Sequence, residues 1–267
     1  MRPDLTATYL ERLGFEAAPA PTAEALARLH RAHLQRVPFE NLDIHLGVPI
    51  ELDADAFADK VAVKRRGGFC FELNGAFASL LMALGFDVEL LEARVYSPRG
   101  PGRAFDHLCL AVELAGGTSL ADIAFGRGCF DEPIALTPAI EQTDTAGVFE
   151  LRAAEDGELD LLCNGEPQYR LAPVPRALAD FEPGCSYHQS SPDSPFTRAP
   201  ICTIRTPDGR LTLSGTRLIA TTAEGQEERD LDRAAYADAL LARFGVALGD
   251  AEIDRLVHAS AATGETG

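Results

Sequence analysis

Apolar residues recur at helical spacing through the first third of the chain. The pattern predicts helices over Asp4–Leu13, stopped by Gly14, Thr22–Gln35, halted ahead of Pro38, Asp53–Lys64, and Cys70–Leu84, stopped by Gly85. Thr22 and Asp53 carry short oxygen-bearing side chains that can accept from the orphan N–H groups of a helix start, and are read as N-caps. From about residue 86 the period falls to two. Val88–Tyr96, His107–Leu114, Leu120–Phe125, Gly147–Leu151 and Leu159–Cys163 read as short strands broken by glycine and proline, a spacing that predicts an antiparallel barrel or sandwich. Beyond about 191, strands at Ile201–Arg205, Leu211–Leu213 and Thr216–Thr221 flank a turn at Pro207-Asp208-Gly209, and helices follow over Leu231–Phe244 and Ala251–Ala261. There is no internal repeat, and residues 263–267 are predicted to be disordered. The expectation is an α+β chain in three stretches, 1–85 helical, 86–190 β-rich and 191–267 mixed.

Composition narrows the classes of partner. The 267 residues can hold one large or two to three small domains with ample core. The net charge of −17 argues against nucleic acid, which needs a basic surface, and nearly all the positive charge is arginine, with Lys60 and Lys64 the only lysines. No apolar run reaches membrane-spanning length and Met1-Arg2-Pro3-Asp4 lacks a signal-peptide core, so no membrane partner and a cytoplasmic location are expected. The six cysteines (Cys70, Cys109, Cys129, Cys163, Cys185, Cys202) form no Cys-x-x-Cys pair and read as reduced thiols. His30 and His33 stand three apart on one helix without further ligands. They read as surface or packing residues, and no metal is expected.

The run Arg66-Gly67-Gly68-Phe69-Cys70-Phe71-Glu72-Leu73-Asn74 carries the strongest chemical signal. Two glycines end one segment, and the stripe Leu73, Phe77, Leu80, Leu81, Leu84 begins just after the cysteine. Cys70 then lies in a first helical turn, where unpaired N–H groups and the helix dipole favour a thiolate, the nucleophile of covalent acyl chemistry. The competing reading is a small buried core residue. A base is available in His107, which opens the polar face of a strand whose other face carries Leu108, Leu110, Val112 and Leu114. The next strand brings Asp122. If Ala115 and Gly116 are the central turn residues, Asp122 pairs with Cys109 and lies diagonal to His107; if Gly116 and Gly117 are central, it pairs with Ala111, beyond reach. The diglycine favours the second register and the chemistry of a Cys–His–carboxylate triad favours the first, with Asp122 buried against one ring nitrogen.

These residues resemble the arylamine N-acetyltransferase family over nearly the whole chain. Pro38-Phe39-Glu40-Asn41-Leu42, the Arg66–Asn74 run, His107 and Asp122 fifteen positions apart, Phe125-Gly126 and Ser191-Pro192-Asp193-Ser194-Pro195-Phe196 stand in matching order, while Ala124 replaces a usual glycine. The resemblance implies a helical bundle, an antiparallel β-barrel and an α/β lid, with a cysteine-protease-like Cys70–His107–Asp122 core at the join of the first two. It implies acetyl-CoA as co-substrate, no permanently bound cofactor, and ping-pong transfer through acetyl-Cys70 to an arylamine or hydrazine. Phe39, Val95 and Phe125 match acceptor-pocket positions. Arg103 and Asp106 match a cofactor-contacting loop, and Gly126 and Gly128 would let backbone N–H groups approach the diphosphate. Glu40 and Arg66 are expected to form a buried pair. The alternative within the same fold is an amide synthase that closes a macrolactam from a carrier-protein-bound polyketide thioester. A homodimer is left open.

Overall fold

The computed structural model describes residues 1–126, 128 and 130–264. Helices Pro3–Leu13, Ala23–Arg36, Ala54–Ala62 and Cys70–Ala83 stand where the periodicity places them. Thr22 Oγ1 accepts from the Ala25 N–H at 3.2 Å, and Asp53 Oδ1 from the Asp55 and Ala56 N–H groups at 2.8 and 3.0 Å, so both caps are present. The Cys70 helix is buried from Cys70 to Ala78, with Phe71, Leu73, Phe77, Leu80 and Leu81 fully buried, and only its last turn, at Met82, is exposed. Its core takes in Leu108, Leu110 and Val112, the expected inward face of the His107–Leu114 strand.

That strand belongs to a nearly closed antiparallel sheet in the order Ile134–Ala135, Gly117–Ala121, His107–Leu114, Asp87–Ser97, Glu166–Arg176, Leu159–Cys163, Gly147–Ala153, Glu141–Asp144. Its interior is a second core holding Cys109, Phe149, Leu161, Tyr169 and Leu171. Across the open seam, Gln142 accepts from the Ala135 N–H and donates to the Ala135 carbonyl at 3.1 Å.

A second sheet joins Phe39–Glu40, Ile201–Thr206, Gly209–Ser214, Arg217–Thr222 and Gly225–Asp230 in that order. Helices Arg233–Phe244 and Asp250–Gly264 cover one face, burying Leu211, Leu213, Tyr236, Leu240, Phe244 and Leu256 together. No described helix is long and apolar enough to cross a membrane.

Several expectations need correction. Strand Glu166–Arg176, central in the barrel, escapes the sequence pattern because Pro167, Pro173 and Pro175 interrupt it; the register shifts between Pro167 and Tyr169 and between Ala172 and Pro175 absorb them. Strand Gly225–Asp230 is exposed along its length and has no apolar alternation to read. Helix Glu182–Ser190 was not expected, and Phe181 and Cys185 put its start in the first core. The strand expected to run through Phe125 stops at Ala121, because the Ile123 and Ala124 N–H groups are taken by the side chains of Asn74 and Asp122. The last helix reaches Gly264, past the start of the expected tail; the rest of that tail, and Cys129, lie outside the described residues.

Candidate active site

The diglycine has a steric origin. Gly68 bridges Phe39 in parallel, and the Glu40 N–H donates to the Gly68 carbonyl at 2.9 Å, so Arg66–Gly68 lies flat against Pro38–Glu40. A Cβ on Gly67 would sit 2.0 Å from the Pro38 carbonyl oxygen, and one on Gly68 would sit 2.7 Å from Glu72 Cβ. Close approach of two backbones demands Gly67, and the Glu72 side chain in the first turn of the Cys70 helix demands Gly68.

Cys70 is the first residue of its helix. Glu72, two positions on, accepts from the Phe69 N–H at 3.1 Å, which fixes the entry to the helix. Below it runs a buried chain of charges. Lys60 Nζ meets Glu72 at 2.7 Å and Asp43 at 2.6 Å; Arg66 meets Asp43 at 2.9 Å and Glu40 at 2.8 Å. The second Glu40 oxygen accepts from the Leu42 N–H at 2.9 Å. The expected Glu40–Arg66 pair is therefore one part of a network that Lys60 extends to the Cys70 helix.

In the hairpin, Leu110 pairs with Ala121 and Leu114 with Gly117, which leaves Ala115 and Gly116 central and carries Asp122 to the position opposite Cys109, diagonal to His107. His107 Nε2 lies 2.7 Å from Asp122 Oδ2. Asp122 Oδ1 accepts from Asn74 Nδ2 at 2.9 Å and from the Ala124 N–H at 3.0 Å, and Asn74 Nδ2 also donates to the Leu108 carbonyl at 2.6 Å. Burial by itself raises the Asp122 pKa. The charge and hydrogen bond of the His107 ring, with Asn74 and the Ala124 N–H, outweigh that and hold it below the usual carboxylate range. An ionised carboxylate only accepts, so His107 Nε2 carries the proton and Nδ1 is the free ring nitrogen. Phe125 and Tyr169 pack against that ring, each with its centroid 5.4 Å away.

Cys70 and His107 line one cavity of about 730 Å³. Among the hydrogen bonds of the described residues, the one to the His107 ring is that of Asp122. Burial, then the Asp106 and Asp122 carboxylates, push the Cys70 thiol well above its ordinary range. The helix start alone thus does not hold a thiolate; a cationic partner is required.

Phe39, Val95, Phe125, Arg103, Asp106 and Gly126 all line the cavity. Gly128 is not among its lining residues; a Cβ there would fall 2.2 Å from Oε1 of the Gln168 side chain. The Arg103 guanidinium lies 3.8 Å over the Tyr187 ring centroid. Asp106 is engaged by His188, whose Nε2 lies 3.1 Å from its carboxylate. Gly126, at φ 84°, turns its carbonyl to accept from Arg210. Sequence reasoning missed Tyr187, His188, Phe196, Arg210 and Thr212 on this wall. Tyr187 and His188 sit on the unexpected helix. Arg210 and Thr212 were legible, since they alternate with the core-facing Leu211 and Leu213. His30 and His33 are both fully buried, so the packing reading holds and the surface reading does not.

The family model for N-acetyltransferase matches residues 22–253. The arylamine N-acetyltransferase of Mycolicibacterium smegmatis is 35% identical over 252 residues, covering 91% of this chain and 92% of the relative; that of Escherichia coli is 32% identical over 255 residues, covering 91% and 89%. Among solved structures, the Mycobacterium marinum arylamine N-acetyltransferase in complex with CoA superposes with a TM-score of 0.86 at 33% identity, over 96% of this chain and 98% of that one. The Salmonella typhimurium arylamine N-acetyltransferase gives 0.88 at 29% identity, over 98% and 100%. This chain belongs to the arylamine N-acetyltransferase family, and is an acyltransferase by class.

Proposed function

We propose that the chain transfers an acetyl group from acetyl-CoA to an arylamine or hydrazine, with Cys70 as nucleophile, His107 as base and Asp122 as the group that orients and charges the histidine. The observation that carries this reading is the buried 2.7 Å bond between His107 Nε2 and Asp122, which leaves Nδ1 as the proton acceptor on the same cavity wall as Cys70. His107 Nδ1 takes the thiol proton, and the imidazolium it becomes supplies the cation that the raised thiol needs. Cys70 Sγ attacks the thioester carbonyl. Its own N–H, at the first helical position without an intrahelical partner, faces the developing oxyanion. The carbon–sulfur bond to CoA breaks and the leaving thiolate takes the His107 proton. The amine then attacks acetyl-Cys70, gives its proton to Nδ1, and expels the cysteine, which is ping-pong kinetics. Phe39, Phe125 and Phe196 give the apolar walls a flat ring requires, and Arg103 over Tyr187 supplies a cation for the donor's phosphates.

The test is mass spectrometry. With acetyl-CoA and no amine, the protein gains one acetyl group, which peptide mapping puts on Cys70. Adding 4-aminobenzoate or a hydrazine discharges it, and Cys70→Ala does not load. Acetylation spread over Cys109, Cys163 and Cys185 would overturn the reading. Loading only from a long-chain carrier thioester would turn it to the macrolactam-forming amide synthase.

A further inference from the structure

We infer that His30 is a positioning residue for Asp122, holding the backbone from which the carboxylate projects; this rests on the proposed triad. His30 is fully buried on helix Ala23–Arg36, stacked on Phe130 with centroids 5.5 Å apart and planes 15° apart, and edge-on to Phe77 at 6.3 Å. Its Nδ1 lies 3.1 Å from the Asp131 carbonyl oxygen. Its Nε2 lies 3.3 Å from the Asp122 backbone nitrogen and 3.0 Å from the Asp122 carbonyl oxygen.

Both ring nitrogens face a carbonyl oxygen, Nδ1 that of Asp131 and Nε2 that of Asp122, and Nε2 also faces the Asp122 N–H. Of the two neutral tautomers, the one with its hydrogen on Nδ1 therefore donates to Asp131 and accepts from that N–H. Burial lowers the His30 pKa to about 4, against the pull of the Asp131 and Asp122 groups, so the ring is neutral near pH 7. A neutral ring protonated at Nδ1 presents a lone pair at Nε2, and the Asp122 N–H is the donor it meets. Protonating Nε2 would exchange that accepted bond for one donated to the Asp122 carbonyl.

The placement matters because the strand ends at Ala121. Asp122 follows the last laddered residue of the edge of the hairpin, and His30 takes its N–H where the ladder does not continue. Through its other nitrogen the same ring holds Asp131, so one side chain of the helical region grips both ends of segment 122–131. That segment carries Phe125 and Gly126 of the cavity wall. Asn74 and the Ala124 N–H aim the carboxylate, and His30 fixes the main chain behind it. A carboxylate displaced by a fraction of an ångström turns the His107 ring away from the sulfur, and misplacements of that size slow chemistry without abolishing binding.

The experiment measures the single-turnover rate of acetyl loading at saturating acetyl-CoA for wild type, His30→Phe, His30→Gln and Asp122→Asn. His30→Phe keeps a ring and removes both bonds. His30→Gln restores an N–H donor and a carbonyl acceptor. The expected result is loading slowed about tenfold to a hundredfold in His30→Phe, with the acetyl-CoA KM changed less than about twofold, and most of the rate recovered in His30→Gln. A folded His30→Phe that loads at the wild-type rate overturns the inference, as does a folded His30→Gln that is no faster than His30→Phe. If His30→Phe does not fold, nitrogen-15 NMR of the wild-type imidazoles decides. A His30 resonance protonated at Nδ1, identified by its contacts to the Phe130 ring, supports the assignment, and one protonated at Nε2 overturns it. Wild-type loading by Asp122→Asn would instead remove the triad itself, whatever tautomer His30 holds.

Discussion

Asn74 shows how much one side chain can decide. Its amide donates to Leu108 and Asp122 and its oxygen accepts from the Ile123 N–H at 3.1 Å, so a single fully buried group ties the Cys70 helix to the His107–Leu114 strand and to the chain that leaves its hairpin partner. Asn74→Ala leaves a buried carbonyl and a buried N–H unpaired, at about 1–3 kcal/mol in urea denaturation. It is also expected to slow acetyl loading about tenfold to a hundredfold. An unchanged loading rate would show that Asn74 only packs. At Cys70 the sign of the electrostatics gives a second prediction. Burial and the carboxylates raise the thiol, so removing the cation in His107→Gln moves thiolate formation to higher pH. Iodoacetamide should label Cys70 of the wild type at neutral pH, and label His107→Gln only when the solution is made distinctly alkaline. Equal labelling of the two at neutral pH would mean that His107 does not sustain the thiolate.

At the scale of elements, the buried charges bind the Ala54–Ala62 helix, the Leu42–Leu46 turn of helix and the Cys70 helix to one another. Three carboxylates (Glu40, Asp43, Glu72) face two cations (Lys60, Arg66). Removing a cation therefore strands more charge than removing an acid. Arg66→Ala should cost about 3–5 kcal/mol, and Glu40→Gln clearly less, in chemical denaturation. The pH dependence differs by residue. Burial raises Asp43, but Lys60 and Arg66 outweigh it and hold the group below the carboxylate range, so its contribution is full at neutral pH and lost as the pH falls through that depressed value. Burial pushes Glu72 from 4.5 to about 7 against the pull of Lys60, so the folded chain holds this proton more tightly than the unfolded one. Its contribution is full below 4.5 and is lost as the pH rises through about 7. Glu72→Gln removes that loss, and the difference in stability between variant and wild type should shift in the variant's favour across this window. A pH-independent difference would place the Glu72 proton elsewhere.

Across the whole molecule, three regions meet through a few polar groups. Asn41 donates to the Phe196 and Ala199 carbonyls at 2.8 and 3.0 Å and accepts from the Ile201 N–H at 2.7 Å, fastening the second sheet to the chain that leaves the helices. Arg205 of that sheet reaches Asp131 at 2.6 Å, and Arg210 reaches Gly126, so the same sheet leans on the segment that follows Asp122. The run Pro38–Leu42 thereby acquires three separate tasks: Phe39 walls the cavity, Glu40 holds Arg66, and Asn41 holds the sheet. Asn41→Ala should lower stability by about 1–3 kcal/mol and speed hydrogen exchange at Ile201 ahead of the barrel strands. Exchange that quickens evenly over the molecule would mean that Asn41 is not a local fastening.

The sequence by itself determined the four long helices of the first third and two of their caps, because a 3.6 period and an oxygen ahead of it act within a few residues, and Thr22 and Asp53 need no distant partner. Through motif spacing it singled out Cys70, His107 and Asp122 as the proposed triad. It left the hairpin register open, since Ala115-Gly116 and Gly116-Gly117 differ by one residue, and only the packing of Asp122 against His107 and Asn74 selects between them. The proline-bearing strand Glu166–Arg176 forms because neighbours on both sides hold it, and the polar strand Gly225–Asp230 because Arg217–Thr222 offers it an edge. The lysine at 60 became a structural cation, and the histidine at 30 a clamp on Asp122, only once chain separations of 12 and 92 residues had been closed. Such contacts carry no local periodicity. They arise when desolvation leaves a buried charge or N–H no partner but the one the fold brings to it.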